Sequence, residues 1–213
     1  MPHTDSKRAN MTLYAAPQDP KTHWVRIVLA EKGIHANIIP INPLKPTKEF
    51  KQLNPRGSLP LPTWTEKNLV LYRAHIIAEY LDERFPHPPL LPVYPIARAK
   101  SRQMIYKIEK DWYPLLRQVE KQVEAGIKPE AQQLLQGTLS TLEELFAAKP
   151  YFLSDEFTLV DCCIAPLLWQ LYKSGIINAP TRAMQQYQER LFARPAFQLS
   201  LGKIASSELM DSK

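Results

Sequence analysis

The chain has 213 residues, enough for one large domain or two small ones with real cores. Apolar residues make up 45% and charged residues 23%, which excludes a mostly disordered chain, and the apolar runs, such as 162–169, fall short of the ~20 residues of a bilayer span. Net charge is +6, from 27 Lys and Arg against 21 Asp and Glu, a modest excess that suits an acidic protein partner and lacks the basic blocks of a nucleic-acid arm.

Residues 1–10 are polar, lack the apolar stretch of a secretory signal and are expected to form a short disordered extension. The first strand is expected over Met11–Ala15. Asp19 and Pro20 then read as the N-cap and first turn of a helix. Val25, Val28, Leu29 and Lys32 follow at helical spacing, and Gly33 closes the run as a C-cap would. Asn37–Ile41 reads as a second strand, placed at an edge because Pro40 cannot donate to a ladder. A short helix is expected near Lys48–Leu53. Two hairpin strands follow, Leu61–Thr65 and Leu69–Tyr72, joined by Glu66-Lys67-Asn68. A helix over Ala74–Arg84 carries Ile76, Ile77, Tyr80 and Leu81 on one face.

The order β-α-β-α-β-β-α is a thioredoxin-like arrangement over 11–85. Of the 20 prolines, set against 6 glycines, most lie before residue 95. Those in 86–95 read as a stiffened linker. From 96 to 205 only helices are expected: Ile96–Val123 with a kink at Pro114, Glu130–Ala147, Leu159–Lys173 and Thr181–Phe192, before a frayed tail at 206–213.

The two cysteines, Cys162 and Cys163, are adjacent. A bridge between neighbours is strained, so a reducing cytoplasm is the expectation. On an apolar helix they read as core. The histidines at 3, 23, 35, 75 and 87 show no metal spacing with them, so no metal is expected, and there is no phosphate-binding glycine loop. No cofactor is expected.

Three motifs in order carry a resemblance. They are Val25–Gly33 on the first helix, the loop Leu53-Asn54-Pro55-Arg56-Gly57-Ser58-Leu59-Pro60, and Thr158-Leu159-Val160-Asp161. In the last, Thr158 can accept from the amide of Asp161 while Asp161 accepts from that of Thr158, with Phe157 as hydrophobic staple. The chain thus resembles the cytosolic glutathione transferases. The resemblance implies an N-terminal thioredoxin-like domain, an all-helical C-terminal domain, and a cis bond at Leu59-Pro60, a structural element. Four further segments narrow it: Tyr80–Leu90, Pro92–Pro95, Ile108–Tyr113 and Lys149–Phe157. They are similar to the stringent starvation protein A family of bacteria. That resemblance covers about residues 11–200. It implies association with RNA polymerase and altered transcription in starvation stress, without transferase activity, and a homodimer or a heterodimer with a related protein.

A glutathione transferase needs a hydroxyl or thiol near the start of the first helix to stabilise the thiolate. It also needs an acid–serine pair opening the third helix to hold the γ-glutamyl group. Here those last positions are Arg73 and Ala74. Each change should cost on the order of 1–3 kcal/mol, together roughly two to three powers of ten in affinity. Asp19 lies about where some classes carry a catalytic cysteine, Thr22 is the nearby hydroxyl, and Tyr14 lies on the strand. No catalytic residue is assigned, and glutathione-dependent transfer or reduction stands as the alternative function. Arg73 is a candidate anion site at a helix N-terminus; the plainer reading is an exposed arginine paired with a nearby acid.

Pro86-His87-Pro88 is the most distinctive local feature. Proline fixes torsions, so His87 has little entropy to lose on binding, and Tyr94 offers a flat amphipathic contact. The resemblance implies that this loop and Tyr94 form a surface that contacts the polymerase holoenzyme, including its sigma factor. The plainer reading is a stiff linker with a solvated histidine tip. Lys45, Lys48, Lys51 and Arg56 form a loose basic cluster, either solvated or facing an acidic partner. Ile105, Tyr106 and Trp112 could serve a dimer interface or the core.

Overall fold

A computed structural model describes residues 11–53, 61–125, 130–175 and 180–202. The chain divides into two compact units at Pro88–Pro89, and the residues from Ala196 onward group with the first. The break therefore falls inside the expected 86–95 linker, and residues 196–202 belong with the N-terminal unit rather than the helical one. The reason is local: His23 shares a hydrogen bond of 2.8 Å with the Ser200 hydroxyl, and its ring lies 5.3 Å from that of Phe197.

The first unit holds β1 (Met11–Ala15), α1 (Pro20–Glu31), β2 (Asn37–Pro40), α2 (Lys48–Gln52), β3 (Thr63–Glu66), β4 (Leu69–Tyr72) and α3 (Ala74–Arg84). The sheet order is β2-β1-β3-β4. β1 runs parallel to β2 and antiparallel to β3, with Leu13 opposite both Ile38 and Trp64. Met11, Leu13 and Ala15 are buried while Thr12 and Tyr14 are half-buried, the period of a strand with one face on a core. β2 is an edge strand, as Pro40 requires. The ladder resumes past the proline, where the Ile41 amide donates to the Ala15 carbonyl at 2.8 Å.

The Asp19 carboxylate accepts from the Thr22 amide at 2.7 Å and caps α1, with Pro20 at its first position. Gly33, at φ 62°, ends the helical run in the left-handed region that side chains disfavour. α3 packs on α1 through Ala74, Ile77, Ala78 and Leu81, all fully buried. Burial of Ile77 and Leu81 stabilises the pair by about 1.5–3 kcal/mol each. Ile76, expected on that face, is exposed.

The second unit is helical: α4 (Pro95–Lys107), a π-helical turn (Ile108–Trp112), α5 (Tyr113–Glu124), α6 (Glu130–Ser140), α7 (Glu143–Ala148), α8 (Leu159–Lys173) and α9 (Arg182–Phe192). A short α10 (Pro195–Ser200) follows, almost all of it in the first unit. The expected break near Pro114 takes the form of that π-helical turn just before it. Pro114 has no amide to offer the Lys110 carbonyl, and its ring crowds it, so the backbone widens there. The single helix expected over 130–147 is two. Gly137, Thr138, Ser140 and Thr141 are weak helix formers, and the Thr138 and Thr141 hydroxyls bond to the carbonyls of Leu134 and Thr138. The core gathers Trp112, Phe146, Phe152 and Tyr187 beside α8, whose buried positions include Cys162 and Cys163. Among the described residues no helix is long and apolar enough to cross a membrane.

Candidate functional site

The proline-rich strap from Phe85 to Pro95 departs from α3 and delivers α4. Pro86, His87, Pro88 and Pro89 are all exposed, while Leu90 and Leu91 are buried. Tyr94 is 78% exposed and Val93 77%. Tyr94 stands at the N-cap position of α4 in extended conformation, with Pro95 opening the helix. Of the cis X-Pro bonds among the described residues, one is His87-Pro88 and the other is Leu61-Pro62, which leads into β3. The cis bond expected at Leu59-Pro60 lies outside the described residues, as does Arg56; Pro62, two positions on, was not singled out.

The strap cannot hold itself. Pro86, Pro88, Pro89 and Pro92 have no amide hydrogen, so only their carbonyls can be anchored. Donors from elsewhere take three of the strap's carbonyls at alternating positions, those of Pro88, Leu90 and Pro92. The Lys32 ammonium donates to the Pro88 carbonyl within the first unit. The Leu159 amide donates to the Leu90 carbonyl at 2.7 Å, and Arg98 Nε to the Pro92 carbonyl at 3.1 Å, both within the second. Lys32 also pairs with Asp82 on α3 at 2.5 Å, its side chain fully buried.

The Leu159 amide is one of the orphan donors at the start of α8. Thr158 and Asp161 satisfy others, forming the expected capping box. Asp161 accepts from the Thr158 amide at 2.8 Å, the Thr158 hydroxyl at 3.0 Å, the Phe152 amide at 2.9 Å and the Tyr187 hydroxyl at 2.6 Å. Burial nevertheless raises its carboxyl above the ordinary value, against the opposing pull of those donors. Burial and then the facing carboxylate push the Tyr187 hydroxyl well up.

The positions where a transferase would hold and activate glutathione are occupied differently. Arg73 is exposed at the N-cap of α3 with φ 75° and caps nothing with its side chain. Among the described residues it makes no ion pair or side-chain hydrogen bond, so the nearby acid expected to pair with it is not found there. Ala74 is fully buried and brings no hydroxyl. Thr22 is 1% exposed, and its hydroxyl accepts from the Ala16 amide at 3.3 Å. Tyr14 faces Phe50 at 5.2 Å between ring centroids. The Asp19 carboxylate is engaged as a helix cap. Cys162 and Cys163 are buried and not joined in a disulfide. No group of three or more potential metal ligands occurs among the described residues. Lys45, Lys48 and Lys51 are exposed. Ile105 and Trp112 are core, whereas Tyr106 on α4 is 62% exposed.

Sequence reasoning missed the Lys32–Asp82 pair, although the signal was present. The helical period places Lys32 in line with Val25, Val28 and Leu29, and Asp82 in line with Ala74 and Ala78. A charge at an inward position of each of two packed helices marks a buried partner.

Residues 9–83 match the family model of the glutathione S-transferase N-terminal domain, and residues 111–187 that of the C-terminal domain. A stringent starvation protein A homolog of Pasteurella multocida is 46% identical over 210 residues, covering 98% of each chain. Its counterpart in Haemophilus ducreyi is 45% identical over 210 residues, 98% of this chain and 97% of its own. Among solved structures, a theta class glutathione S-transferase of Xanthomonas axonopodis pv. citri, with glutathione bound, aligns with a TM-score of 0.81. That match covers 91% of this chain and 97% of the other, and at 20% identity it is a likeness of fold.

Proposed function

The chain belongs to the stringent starvation protein A family, on the glutathione transferase fold, and from that premise we propose that it regulates transcription in starvation stress by binding the RNA polymerase holoenzyme, without catalysis. The observation that carries this reading is the strap: His87 and Tyr94 project into solvent from backbone that prolines and outside donors hold. A preset backbone loses little entropy on binding, and an exposed histidine and tyrosine supply the polar and flat apolar contacts of a hot spot. The partner surface is protein, including the sigma factor, and the function belongs in the cytoplasm, with the chain acting as a homodimer or paired with a related protein. Ile96 and Tyr106, exposed on α4, are the apolar residues that support a dimer.

Glutathione-dependent transfer or reduction is the rival, favoured by the fold and opposed by the state of its site. Arg73 puts a cation where a substrate ammonium would sit, and the Thr22 hydroxyl is already engaged. The test is a pull-down with the tagged full chain, side by side with immobilised glutathione. Polymerase subunits are expected to co-purify with the chain, and the chain to flow through the glutathione resin. Retention on glutathione with no polymerase recovered overturns the reading.

A further inference from the structure

We infer that Lys32 is the positioning residue for the His87 loop: its buried ammonium, anchored by Asp82, supplies the hydrogen-bond donor that the prolines cannot, and so sets how His87 is presented to a protein partner. The importance of presenting His87 rests on the function proposed above; the positioning itself does not.

Prolines at 86, 88 and 89 fix φ at those positions, and His87, preceding a proline, is confined to extended backbone. These restraints stiffen the loop internally. They leave open how the stiff piece sits on its domain, because Pro86, Pro88 and Pro89 have no amide to donate. With His87 the only residue of 86–89 that has an amide hydrogen, the loop's hydrogen bonding falls mainly to its carbonyls, whose donors come from outside. The Lys32 ammonium has three donors and no acceptor. One goes to Asp82 on α3 and another to the Pro88 carbonyl, one residue past His87. Lys32 stands at the C-cap of α1, so a single side chain joins α1, α3 and the loop.

Stability alone does not account for the pair. Two apolar residues of similar volume usually serve a core at least as well as a buried ion pair, whereas removal of one partner leaves a costly lone charge. What apolar residues cannot do is hold a carbonyl. The same device recurs in the second unit, where Arg98 reaches the Pro92 carbonyl. Tyr94 follows two residues later, as His87 precedes Pro88 by one.

The experiment is NMR on the full chain and on the double variant Lys32→Met with Asp82→Leu, which removes both charges together. In the wild type, the Lys32 Nζ protons are expected to exchange slowly and to show a nuclear Overhauser contact to Pro88; freely exchanging protons without that contact overturn the proposal even if the variant does not fold. In a cooperatively melting double variant, the His87 ring signals are expected to shift and broaden while those of His23 stay in place. Polymerase retention is expected to fall about tenfold, the same loss expected for His87→Ala. His87 signals superimposable on the wild type in a folded variant overturn the proposal. If His87→Ala leaves polymerase retention unchanged, the function proposed above fails, and the His87 spectra still decide the role of Lys32.

Discussion

At the scale of single residues, Arg73 and Ala74 stand at the two adjacent positions where the transferase resemblance expects an acid and a serine. Arg73 would oppose the ammonium of a γ-glutamyl group, and Ala74 would offer its carboxylate no hydroxyl. Replacing them together, Arg73→Glu with Ala74→Ser, is expected to raise glutathione affinity by roughly two to three powers of ten, measured by calorimetry; no change would place the defect elsewhere. Asp161 illustrates a different balance. Burial outweighs four donated hydrogen bonds, so its folded carboxyl holds a proton to higher pH than the unfolded chain does. Its contribution to stability is therefore fullest below the ordinary carboxylate range and declines as pH rises through the raised folded value. Asp161→Asn, with one oxygen to meet donors that faced two, should destabilise by about 1–3 kcal/mol. The gap between wild type and variant should narrow from acid to neutral pH in a series of thermal melts.

At the scale of elements, prolines decide where helices break and what must compensate. Pro166 lies inside α8 and removes a donor from its middle. The Tyr113 hydroxyl, on α5, donates to the Cys163 carbonyl at 2.9 Å, one residue past the Cys162 carbonyl that the amide of residue 166 would otherwise serve. Tyr113→Phe is expected to cost about 1 kcal/mol in chemical denaturation, and no loss would mean the carbonyl is satisfied within the helix. Much at this scale was readable in advance. The Asp19-Pro20 start, the Gly33 stop, the edge position of β2 and the Thr158–Asp161 box each follow from residues that allow few conformations. The break between α6 and α7 was harder, because its apolar period continues across residues whose hydroxyls compete for the backbone. The cis bond at Leu61-Pro62 was not legible from the loop motif, which ends at Pro60; it lies just before the start of β3 at Thr63.

At the scale of the whole molecule, the fold and its two-unit division were legible from the order of elements, while the allocation of residues 196–202 was not. It depends on contacts such as His23 to Ser200, across a sequence separation of 177 residues, which no local pattern encodes. The candidate site was legible only in part. His87 and Tyr94 stand out because prolines surround them; the side chain that holds the loop lies far away in sequence and reads as one member of an apolar helix face. The proposed function lies on the exposed strap rather than at the positions, Arg73 and Ala74, where the transferase resemblance expects glutathione to be held. The most direct test is quantitative binding of purified RNA polymerase holoenzyme to the wild type and to His87→Ala with Tyr94→Ala, both shown to be folded by their melts. The account predicts a loss of about thirtyfold or more in affinity, the scale of a hot spot of about 2 kcal/mol, with the melting temperature unchanged; equal affinity of the two proteins would contradict it.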